Sequence, residues 1–475
     1  MIINQYREKY SEYRIKHWDN VAKQSTASKG RYYHSRVEEI YRFLIPPGQH
    51  VLELGCGTGD LLSSLRPSYG VGVDFSSNML SIATARHPEI NFICADVHDV
   101  CFNTSFDVIV LNDILNDLWD VQLLFKTISK FSNHKTRIVM NVFSRLWQPA
   151  LDFARKKGWA TPLLKQNWLT PEDLRHLMHL EGFEVVKKLS DIVVPLPIPL
   201  ISSFCNKYLA KLFPFNFFNL THFLVARKVP DTKTGRSMSV SVIVPARNEA
   251  GNIEEIIKRV PSIGSSTEII FVEGGSTDNT CEAINSVILE NPSLNIRLYH
   301  QTGQGKGDAV RLGFSKAAGD VLMILDADMT VPPEDLLRFY QALADGRGEF
   351  INGVRLVYPM QDQAMRFFNL IGNKFFSLAF SWLLGQPVKD TLCGTKVLTN
   401  RSYRSIAANR SFFGDFDPFG DFDLLFGAAK QNLKIVDLPV RYHERTYGET
   451  NIQRWRHGVM LLRMVLFAAR RIKFI

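Results

Sequence analysis

The stretch from Gly319 to Asp335, GDVLMILDADMTVPPED, constrains the fold of this chain more than any other. Its apolar run, Val321 to Leu325, has the composition of a strand buried on both faces, which is typical of a parallel sheet. The strand ends at Asp326 and Asp328, which point to the same side because residues two apart in an extended backbone share a face. The Pro-Pro-Glu-Asp run that follows predicts the first turn of a helix. The acids therefore occupy a strand-to-helix connection, the place where open α/β sheets bind ligands.

A pair of carboxylates in this position suits a hard divalent cation. Magnesium or manganese binds through one or two carboxylates plus phosphate oxygens, and it offsets the charge that builds up on a leaving diphosphate. We therefore predict Asp326 and Asp328 as ligands of Mg2+ or Mn2+. The alternative is that this stretch is only a solvated turn after a core strand.

The length and composition are those of a globular protein with two or three domains. The chain has 475 residues, of which 45% are apolar, and this composition excludes the disordered and fibrous classes. Its formal net charge is +9, and the last 35 residues supply eight Arg or Lys against two Glu. This basic surplus favours a membrane surface or a phosphate-bearing substrate, rather than nucleic acid, as the partner.

Cysteine usage and hydropathy indicate a cytoplasmic protein. The six cysteines have no metal-ligand spacing, so we expect reduced thiols. The N-terminal residues lack the apolar core of a signal peptide. No segment offers about twenty uninterrupted apolar residues, so we predict no spanning helix.

The first half shows strand, turn and helix signals in succession. The strand VLEL precedes GCGTGD and an apolar helix, and Gly55, Gly57 and Gly59 allow the backbone to approach a ligand at a helix N-terminus. The next two strands end at Asp74 and Asp96, and a fourth, FDVIVL, also runs into an acid. Asp74 is placed to hydrogen-bond a pair of ribose hydroxyls. Successive strands that end in acids at one sheet edge predict a ligand site.

This spacing resembles that of the class I S-adenosylmethionine-dependent methyltransferases. Dinucleotide dehydrogenases differ, because their fingerprint requires glycine where this chain has Asp60. The resemblance implies a seven-stranded Rossmann-like fold and S-adenosylmethionine as the cofactor. It implies contacts of the methionine moiety with Glu53, Gly55 and Gly57, of the ribose with Asp74, and of the adenine edge with Asp96.

The resemblance covers residues 30 to 228. Its last elements are expected to be a strand from Arg137 to Phe143, a capped helix that opens at Thr170, and strands at Phe183 to Lys187 and Phe223 to Arg227. Methyl transfer depends mainly on holding two reactants together, so the sequence does not name the methylated atom. The alternative is that this half regulates or scaffolds the second half.

An apolar segment interrupted by prolines lies between the last two of these strands. It reads DIVVPLPIPLISSFCNKYLAKLFPFNFFNL, and its prolines and lysines break any spanning helix. A lid over an apolar substrate and a segment that lies on a surface are both open interpretations. The polar run from Val229 to Ser237 predicts the domain linker.

The second half places polar loops after successive buried strands. The loops present Pro245, Arg247 and Glu249 after the first strand, and Glu273, Ser276 and Asp278 after the second. Acids and amides at strand ends can hold the base and ribose of a nucleoside. In GQGKGDAVRLGF the glycines and Lys306 are placed to hold a phosphate, although a flexible loop before a helix is the alternative.

These loops and the Asp326-Ala-Asp328 motif resemble the family 2 glycosyltransferases of GT-A fold, especially polyprenyl-phosphate sugar transferases such as dolichol-phosphate mannose or glucose synthases. The resemblance covers nearly all of residues 238 to 457. It implies a nucleotide-sugar donor held by Pro245, Arg247, Glu249 and Glu273, and a metal and diphosphate held by Asp326 and Asp328. The family often has two acids where this chain has Glu273 and then glycine, which leaves UDP versus GDP open.

Later motifs resemble the acceptor side of the same family. KDTLCGTK is similar to an acceptor motif, which implies that Asp390 and Lys396 lie near the reacting centre. VRYHERTYGETN is similar to a loop that closes over an acceptor phosphate, with Arg445 as its cation. In relatives with hydroxyl acceptors an acid near the repeated GDFD element is the general base, which points to Asp421 or Asp423. A phosphate acceptor needs no strong base, and an acidic helix start is the alternative interpretation of both acids.

Two further apolar segments suit helices that lie in a membrane interface. Phe375 to Leu384 is short and flanked by Lys374 and Gly385, and Gly458 to Ile475 carries interspersed basic residues. Apolar faces of this kind enter the interface while the basic residues meet anionic lipid. A dimer face or a domain-docking helix is the alternative.

We therefore predict an α/β protein with two domains, a Rossmann-like seven-stranded methyltransferase fold followed by a GT-A nucleotide-sugar transferase fold. The expected segments are an N-terminal helical cap at 1–44, a methyltransferase-like domain at 45–228, a linker at 229–237, a glycosyltransferase domain at 238–457 and a basic amphipathic helix at 458–475. The expected partners are a UDP- or GDP-linked sugar, a lipid-phosphate or glycan acceptor, and the cytoplasmic face of a membrane. The alternative from a different functional class is a membrane-associated binding or scaffold protein with degenerate sites.

Overall fold

The structure is a computed structural model of the chain, and it divides into two compact units. The first unit contains Met1–Val229 with Phe474–Ile475, and the second contains Pro230–Lys473. The described residues are 2–23, 30–158, 164–230, 237–355, 367–410, 420–443, 445, 447 and 454–475. Most of the predicted linker, residues 231–236, lies outside them.

The first unit is built on a seven-stranded sheet in the order β3-β2-β1-β4-β5-β7-β6. Strands β1 to β5 pair in parallel, whereas β7 is antiparallel to both β5 and β6. The strands are β1 His50–Leu54, β2 Tyr69–Asp74, β3 Asn91–Cys94, β4 Val108–Leu111, β5 Arg137–Phe143, β6 Phe183–Asp191 and β7 Thr221–Lys228. The predicted seven-stranded α/β fold of the first half is therefore confirmed.

In the described residues of the first unit, eight α-helices connect or flank these strands. They are α1 Ile2–Lys23, α2 Arg31–Leu44, α3 Asp60–Ser64, α4 Ser77–Arg86, α5 Val121–Lys130, α6 Gln148–Lys156, α7 Pro171–Leu180 and α8 Ile201–Lys207. Helix α7 begins with the predicted capping box, in which Thr170 and Asp173 exchange side-chain and backbone hydrogen bonds. This exchange satisfies two of the backbone groups that a helix leaves unpaired at its N-terminus.

Both faces of the first sheet are covered, because successive strand residues point to opposite sides. Leu52 and Ile109 lie in one core, together with side chains of α5 and α7. Val51 and Val110 lie in the other, together with side chains of α2. Burial on both faces explains why β1 and β4 have almost uninterrupted apolar sequences.

The second unit is built on another seven-stranded sheet, in the order β10-β9-β8-β11-β13-β12-β14. Strand β13 is antiparallel to its neighbours β11 and β12, and the other pairs are parallel. The strands are β8 Val240–Ala246, β9 Thr267–Glu273, β10 Asn295–His300, β11 Val321–Ile324, β12 Phe350–Val354, β13 Lys396–Thr399 and β14 Ile435–Pro439. The predicted α/β fold of the second half is therefore confirmed, although the antiparallel β13 makes its sheet mixed rather than purely parallel.

The helices of the second unit pack on both faces of this sheet. They are α9 Ile253–Arg259, α10 Thr280–Glu290, α11 Lys306–Lys316, α12 Leu336–Ala344, α13 Phe367–Leu384, α14 Asn400–Ala408, α15 Asp421–Lys430 and α16 Arg454–Ala468. In the part of the chain that the structure describes, no helix combines the length and apolar character needed to cross a bilayer.

Strand β11, the stretch on which the sequence prediction rests, lies at the centre of the second sheet. Its four residues are buried, and Leu325 continues the parallel pairing with a hydrogen bond from its backbone N to Ile243 O. Ile243 itself is paired with Ile324. The chain therefore leaves β8 and β11 at the same edge of the sheet, which brings the loop after Ala246 beside Asp326.

A buried charge cluster anchors the end of β6 in the first unit. Asp191 is fully buried, and its Oδ2 lies 3.0 Å from Arg36 Nη2 on α2. The same carboxylate pairs with Lys211 Nζ, in the 3-10 helix Leu209–Lys211. Arg36 also pairs with Glu39 at 2.6 Å. Both cations of the cluster are therefore held by one internal carboxylate.

Removal of that carboxylate is expected to destabilise the first unit. Asp191→Ala leaves two buried cations without their shared partner, which typically costs about 3 to 5 kcal/mol. We expect faster hydrogen exchange at the backbone amides of Ile40 and Tyr41, which lie in the buried face of α2. Glu172→Ala is the control, because Glu172 pairs with Arg175 on the surface. Unchanged protection of these amides in Asp191→Ala would contradict the anchoring role.

Candidate functional sites

Asp326 forms an ion pair at the carboxyl end of β11. Its Oδ1 lies 2.5 Å from the ammonium of Lys306, the first residue of α11. Burial opposes ionisation of Asp326, but the charges of Lys306, Lys396 and Arg355 outweigh it and hold the pKa of this carboxyl below its usual value. The carboxylate is therefore ionised at neutral pH.

Asp328 is buried and joins two loops. Its Oδ1 accepts hydrogen bonds from the backbone N and Oγ1 of Thr330, at 3.1 and 2.8 Å. Its Oδ2 lies 2.6 Å from Arg445 Nη2, and Arg445 Nη1 lies 3.7 Å from Glu249 Oε1. Arg445 thus bridges the loop after β8 and the loop after β11, two segments that the sequence analysis assigned to the same ligand.

Glu249 is an acid of this cluster whose pKa is raised. Burial and the nearby charge of Asp328 raise its pKa to about 7, although Arg445 and a 2.7 Å hydrogen bond from Asn252 Nδ2 act in the opposite direction. Perturbed carboxyl groups of this kind are concentrated at functional sites. The arrangement therefore supports Glu249 as a candidate ligand-contacting residue.

Asp326 and Asp328 offer carboxylate oxygens of the kind that bind a divalent cation together with oxygens of a substrate phosphate. In the described residues no group of three or more His, Cys, Asp and Glu converges on one point. Magnesium and manganese need no third protein ligand when substrate phosphates supply oxygens. Asp326 and Asp328 therefore fit such a cation as a pair of carboxylates on alternate residues.

The KDTLCGTK segment approaches Asp326 through a glycine that the sequence analysis missed. A Cβ added to Gly394 would overlap the carboxylate of Asp326 and the ammonium of Lys306. Glycine at this position therefore permits the backbone to pass directly beside the ion pair. The glycine is visible in the sequence, but the neighbour that requires it is not.

Asp390 holds Arg355 in place. Its two oxygens accept hydrogen bonds from Arg355 Nε at 2.8 Å and Nη2 at 3.0 Å, and the backbone N atoms of Arg355 and Leu392 donate to them as well. Burial opposes the ionised form, but Arg355 outweighs it and lowers the pKa of Asp390. Asp390 therefore fixes the position of the Arg355 guanidinium. Arg355, which the sequence analysis did not select, is one of three cations around Asp326.

Lys396 is the third of these cations and is fully buried at the start of β13. Its Nζ donates hydrogen bonds to Asn352 Oδ1 at 3.0 Å and to Cys393 O at 2.5 Å. A buried ammonium is tolerated because these oxygens replace water. Lys396 therefore acts on Asp326 through its charge, from inside the sheet.

The remaining predicted donor-site residues lie where β8 and β9 end. Glu273 Oε1 accepts a hydrogen bond from Ser276 N at 2.5 Å, and Ser276 Oγ accepts one from Asn248 N at 3.1 Å. Pro245 is the second-last residue of β8, and the side chain of Arg247, just after the strand, is exposed. The structure thus brings these residues to one sheet edge, as the loop pattern predicted.

The GDFD element leads into α15 and approaches the same edge. Gly420 has a positive φ of 73°, and a Cβ added to it would lie 2.5 Å from Gly307 Cα, next to Lys306. Asp423 is buried, with its Oδ2 2.8 Å from Arg410 Nε. The side chain of Asp421, the other predicted base, lies outside the described part of the structure.

In the first unit the acids of the predicted cofactor site surround the glycine loop. Asp74 Oδ2 accepts a hydrogen bond from Gly57 N at 2.9 Å, and its Oδ1 accepts one from Ser76 N at 2.9 Å. Burial raises the pKa of Asp74 despite these bonds. Burial and the charge of Asp74 also raise the pKa of Glu53 well above its usual value. Within the described residues Glu53 Oε2 is buried and finds no hydrogen-bond partner.

The three glycines of the loop have different surroundings. A Cβ added to Gly57 would meet open space, whereas Cβ atoms at Gly55 and Gly59 would overlap the side chains of Ile114 and Phe92. All three residues have positive φ angles. Gly57 is therefore the position where a ligand can approach the backbone, and the other two glycines permit close packing of the loop on the unit.

Helix α1 contacts the predicted adenine-side acid, a role that the sequence analysis did not assign to the N-terminal segment. Asp96 accepts hydrogen bonds from His98 and lies 3.5 Å from Arg7 Nη2, while Ser11 Oγ is 3.4 Å from its Oδ2. Trp18 Nε1 donates to Asp117 Oδ2 at 2.9 Å. Although burial opposes ionisation of Asp96, His98 and Arg7 hold the pKa of this carboxyl well below its usual value. The segment was expected only to cap the domain, because its sequence carries no recognisable motif.

Comparison with known proteins identifies a domain family in each half. The model of the methyltransferase domain family matches residues 29–188, and the model of glycosyl transferase family 2 matches residues 241–411. Both are families of transferases. The two matches fall on the halves in which the two sheets lie.

Three curated relatives are sugar transferases. Glycosyltransferase AglJ of Haloferax volcanii is 28% identical over 222 residues, which cover 46% of this chain and 68% of the relative. Undecaprenyl-phosphate 4-deoxy-4-formamido-L-arabinose transferase of Edwardsiella ictaluri is 25% identical over 227 residues, 47% of this chain and 64% of the relative. Dolichol-phosphate mannosyltransferase of Pyrococcus furiosus is 28% identical over 221 residues, 46% of this chain and 60% of the relative.

The chain thus spans roughly three fifths to two thirds of the length of these relatives. The family matches and the two seven-stranded sheets agree with both resemblances seen in the sequence. The chain contains a methyltransferase domain followed by a family 2 glycosyltransferase domain.

Proposed function

We propose that the second unit transfers a sugar, with inversion at the anomeric carbon, from a UDP- or GDP-linked donor to a lipid-phosphate or related glycan acceptor. The observation that carries this proposal is the charge cluster at the edge shared by β8 and β11, where Arg445 bridges Glu249 and Asp328 beside the Lys306–Asp326 pair. Two of the relatives carry undecaprenyl-phosphate and dolichol-phosphate in their names. We therefore propose a polyprenyl phosphate as the acceptor class.

Asp326 and Asp328 are the proposed ligands of Mg2+ or Mn2+. When bound, the cation would offset the negative charge that develops on the departing diphosphate. The low pKa of Asp326 keeps that carboxyl ionised, which a hard cation requires. Lys306, Lys396 and Arg355 surround this acid and supply further positive charge at the same sheet edge.

We propose that different cations of the chain bind the donor diphosphate and the acceptor phosphate. Lys306 stands at the N-terminus of α11, where backbone N–H groups also favour anions, so we assign it to the donor diphosphate. Arg445 lies on the loop similar to the acceptor-phosphate loop, and its guanidinium can bind a phosphate through paired donors. The acceptor oxygen then attacks the anomeric carbon from the side opposite the diphosphate.

The nucleoside is proposed to lie against the ends of β8 and β9. The residues assigned to it are Pro245, Arg247, Glu249, Glu273 and Ser276. The hydrogen bond between Glu273 and Ser276 N holds this carboxylate in a fixed orientation before a ligand arrives. Pre-organisation of this kind reduces the ordering cost of binding.

The general base depends on the acceptor. A phosphate acceptor is already ionised at neutral pH and needs no strong base. For a hydroxyl acceptor we propose Asp421 or Asp423, and the Arg410 partner of Asp423 favours Asp421 because an ion-paired carboxylate is a weaker base. Asp421 and Asp423 are two residues apart in the sequence, so conversion of each to Asn in turn separates these roles.

We propose that the first unit binds S-adenosylmethionine and transfers its methyl group. Glu53 carries an unpartnered buried oxygen within the described residues, and Gly57 faces open space. A buried acid with a raised pKa favours a ligand that donates hydrogen bonds or carries positive charge. We assign Glu53, Gly55 and Gly57 to the methionine moiety, Asp74 to the ribose and Asp96 to the adenine edge, with Gly59 supporting the loop.

We propose further that the protein acts at the cytoplasmic face of a membrane. Helices α13 and α16 pack against each other, and both expose apolar side chains, including Phe375, Leu378 and Leu466. Exposed Arg463 and Arg470 lie in or beside α16. The proposed boundaries remain 1–44 for the helical cap, 45–228 and 238–457 for the two catalytic domains, 229–237 for the linker and 458–475 for the basic helix.

Two alternative functions lead to different observations. A regulatory methyltransferase-like domain would bind S-adenosylmethionine without forming S-adenosylhomocysteine on any glycosylated lipid. A scaffold protein with degenerate sites would bind neither S-adenosylmethionine nor a nucleotide sugar in calorimetric titration. The perturbed acids in both units favour the enzymatic interpretation.

Loss of either proposed metal ligand is expected to abolish sugar transfer. Asp326→Asn and Asp328→Asn should each lower turnover by about 100-fold or more, because the charge on the leaving diphosphate loses its counter-ion. The assay follows nucleotide release from a panel of UDP- and GDP-sugars, with and without polyprenyl phosphate and Mn2+. Asp345→Asn, at an exposed surface ion pair, is the control. Undiminished turnover of Asp328→Asn at saturating Mn2+ would contradict the mechanism.

Cofactor binding in the first unit can be tested with two aspartates. Asp74→Ala is expected to weaken S-adenosylmethionine binding about tenfold or more, since it removes the proposed acceptor for the ribose hydroxyls. Asp99→Ala is the control, because it removes a more exposed carboxylate that pairs with Arg7. The Asp99→Ala variant should bind the cofactor normally. Isothermal titration calorimetry of the full chain measures both. Equal affinity of Asp74→Ala and the unsubstituted chain would argue against the assignment.

The positioning role of Asp390 predicts a loss of stability as well as of activity. Asp390→Ala leaves Arg355, whose side chain is 11% exposed, without its carboxylate partner, and such a change at a buried pair typically costs about 3 to 5 kcal/mol. The surface pair between Glu334 and Arg259 is the comparison, and Glu334→Ala should cost no more than about 1 kcal/mol. Urea denaturation gives both values. If Asp390→Ala were inactive but as stable as the unsubstituted chain, Asp390 would instead act directly on the substrate.

A further inference from the structure

The segment between β6 and β7, residues 192–220, exposes many large apolar side chains, and we call it the apolar insertion. Several of its large apolar side chains are about half exposed or more: Leu200, Ile201, Phe204, Phe213, Phe217 and Phe218. Leu200 and Phe213 reach 87% and 80% exposure. Phe213 and Phe217 are in ring contact, with centroids 5.8 Å apart, and clustered exposed apolar side chains mark interaction sites.

Several polar side chains of the insertion, among them Ser202 and Asn206, are buried, whereas Ser203, Lys207 and Asn216 are exposed. Ser202 Oγ accepts a hydrogen bond from Ile198 N at 3.0 Å and donates one to Leu196 O. Asn206 Oδ1 accepts from the backbone N atoms of Val193 and Val194, both at 2.9 Å. Asn206 and Ser202 are each only 1% exposed. These buried polar groups therefore hold the insertion together from within, and many of its large apolar side chains lie at the surface.

The insertion is also firmly anchored to the first unit. Lys211 pairs with the buried Asp191 at the end of β6, and Asn206 Nδ2 donates to Tyr32 Oη on α2 at 3.1 Å. The 3-10 helix Leu209–Lys211 packs against both α8 and the 3-10 helix Phe215–Phe218. The exposed side chains thus belong to a structured surface, which does not need to fold before it meets a partner.

The charges of the insertion complement an anionic surface. It contains no Asp or Glu, and its two cations are Lys207 and Lys211. Lys211 is internal, whereas Lys207 is exposed among the apolar side chains. The neighbouring 3-10 helix Arg145–Trp147 adds the exposed Arg145 and Leu146, and Trp147 Nε1 donates to Phe218 O at 2.8 Å. Apolar side chains with flanking cations are typical of surfaces that enter the headgroup region of a bilayer.

We propose that the apolar insertion docks the first unit onto an anionic lipid bilayer. Leu200, Phe213 and Phe217 enter the interfacial region, and Lys207 meets the lipid headgroups. This inference adds a second membrane-contacting surface, on the first unit, to the one proposed above on α13 and α16, and it does not depend on either transfer reaction. A second copy of the chain or the lipid tail of a substrate would need the apolar side chains but not the cations.

Vesicle co-sedimentation of the full chain tests the proposal. The vesicles consist of phosphatidylcholine with or without phosphatidylglycerol. The double variant Phe213→Glu/Phe217→Glu is expected to lower partitioning about tenfold or more, because two aromatic anchors become anions. Leu289→Glu is the matched control, since Leu289 on α10 is 81% exposed, almost the same as Phe213. Lys207→Glu is expected to remove part of the increase that phosphatidylglycerol produces.

Three results would overturn the proposal. They are absence of vesicle binding by the unsubstituted chain, equal partitioning of the double variant and the unsubstituted chain, and a lipid-free dimer that the double variant dissociates in sedimentation velocity. Sugar transfer to a water-soluble short-chain acceptor is measured in parallel. Retention of this activity by the double variant separates a failure of docking from a failure of the proposed glycosyltransferase.

Discussion

Parallel strand pairing is the constraint from which the sites of both units follow. Neighbouring parallel strands deliver their carboxyl ends to one edge of the sheet, so polar residues that follow different strands meet there. In the second unit the pairing of Ile243 with Ile324 brings the loop of Glu249 beside the loop of Asp328. In the first unit the pairing of β1 with β2 places Gly57 within hydrogen-bonding distance of Asp74.

Asp326 in the second unit and Glu53 in the first unit have pKa values that are shifted in opposite directions. In the second unit the aspartates after β11 face cations, and the pKa of Asp326 is lowered. In the first unit Glu53 and Asp74 are buried near each other, and burial raises the pKa of both. Paired acids and basic groups suit a phosphorylated ligand with its counter-ion, whereas unpaired buried acids suit a ligand that brings hydrogen-bond donors or positive charge.

A second physical theme is the use of buried ion pairs as anchors. Asp191 joins β6, α2 and the apolar insertion, and Asp390 fixes Arg355 beside the Asp326 site. Neither pair is expected to add much net stability, because desolvation offsets most of the attraction. Their effect is to fix geometry. In the first unit this fixes an apolar surface outside the core, and in the second it fixes the charges around one carboxylate.

Local sequence determined the elements and the strand-end acids of this protein, because apolar runs, glycine turns and helix caps act over a few residues. The strand before Asp326, the capping box at Thr170 and the glycine loop before α3 were all predictable in this way. The partners of these groups were decided only by the tertiary structure. Arg445 meets Asp328, Gly394 meets Lys306, and α1 meets Asp96, across long stretches of chain whose pairing no local pattern encodes. The apolar insertion is a further case that only the tertiary structure decided. Its composition is that of a core segment, and only the exposure of its individual side chains shows which of them face the surroundings.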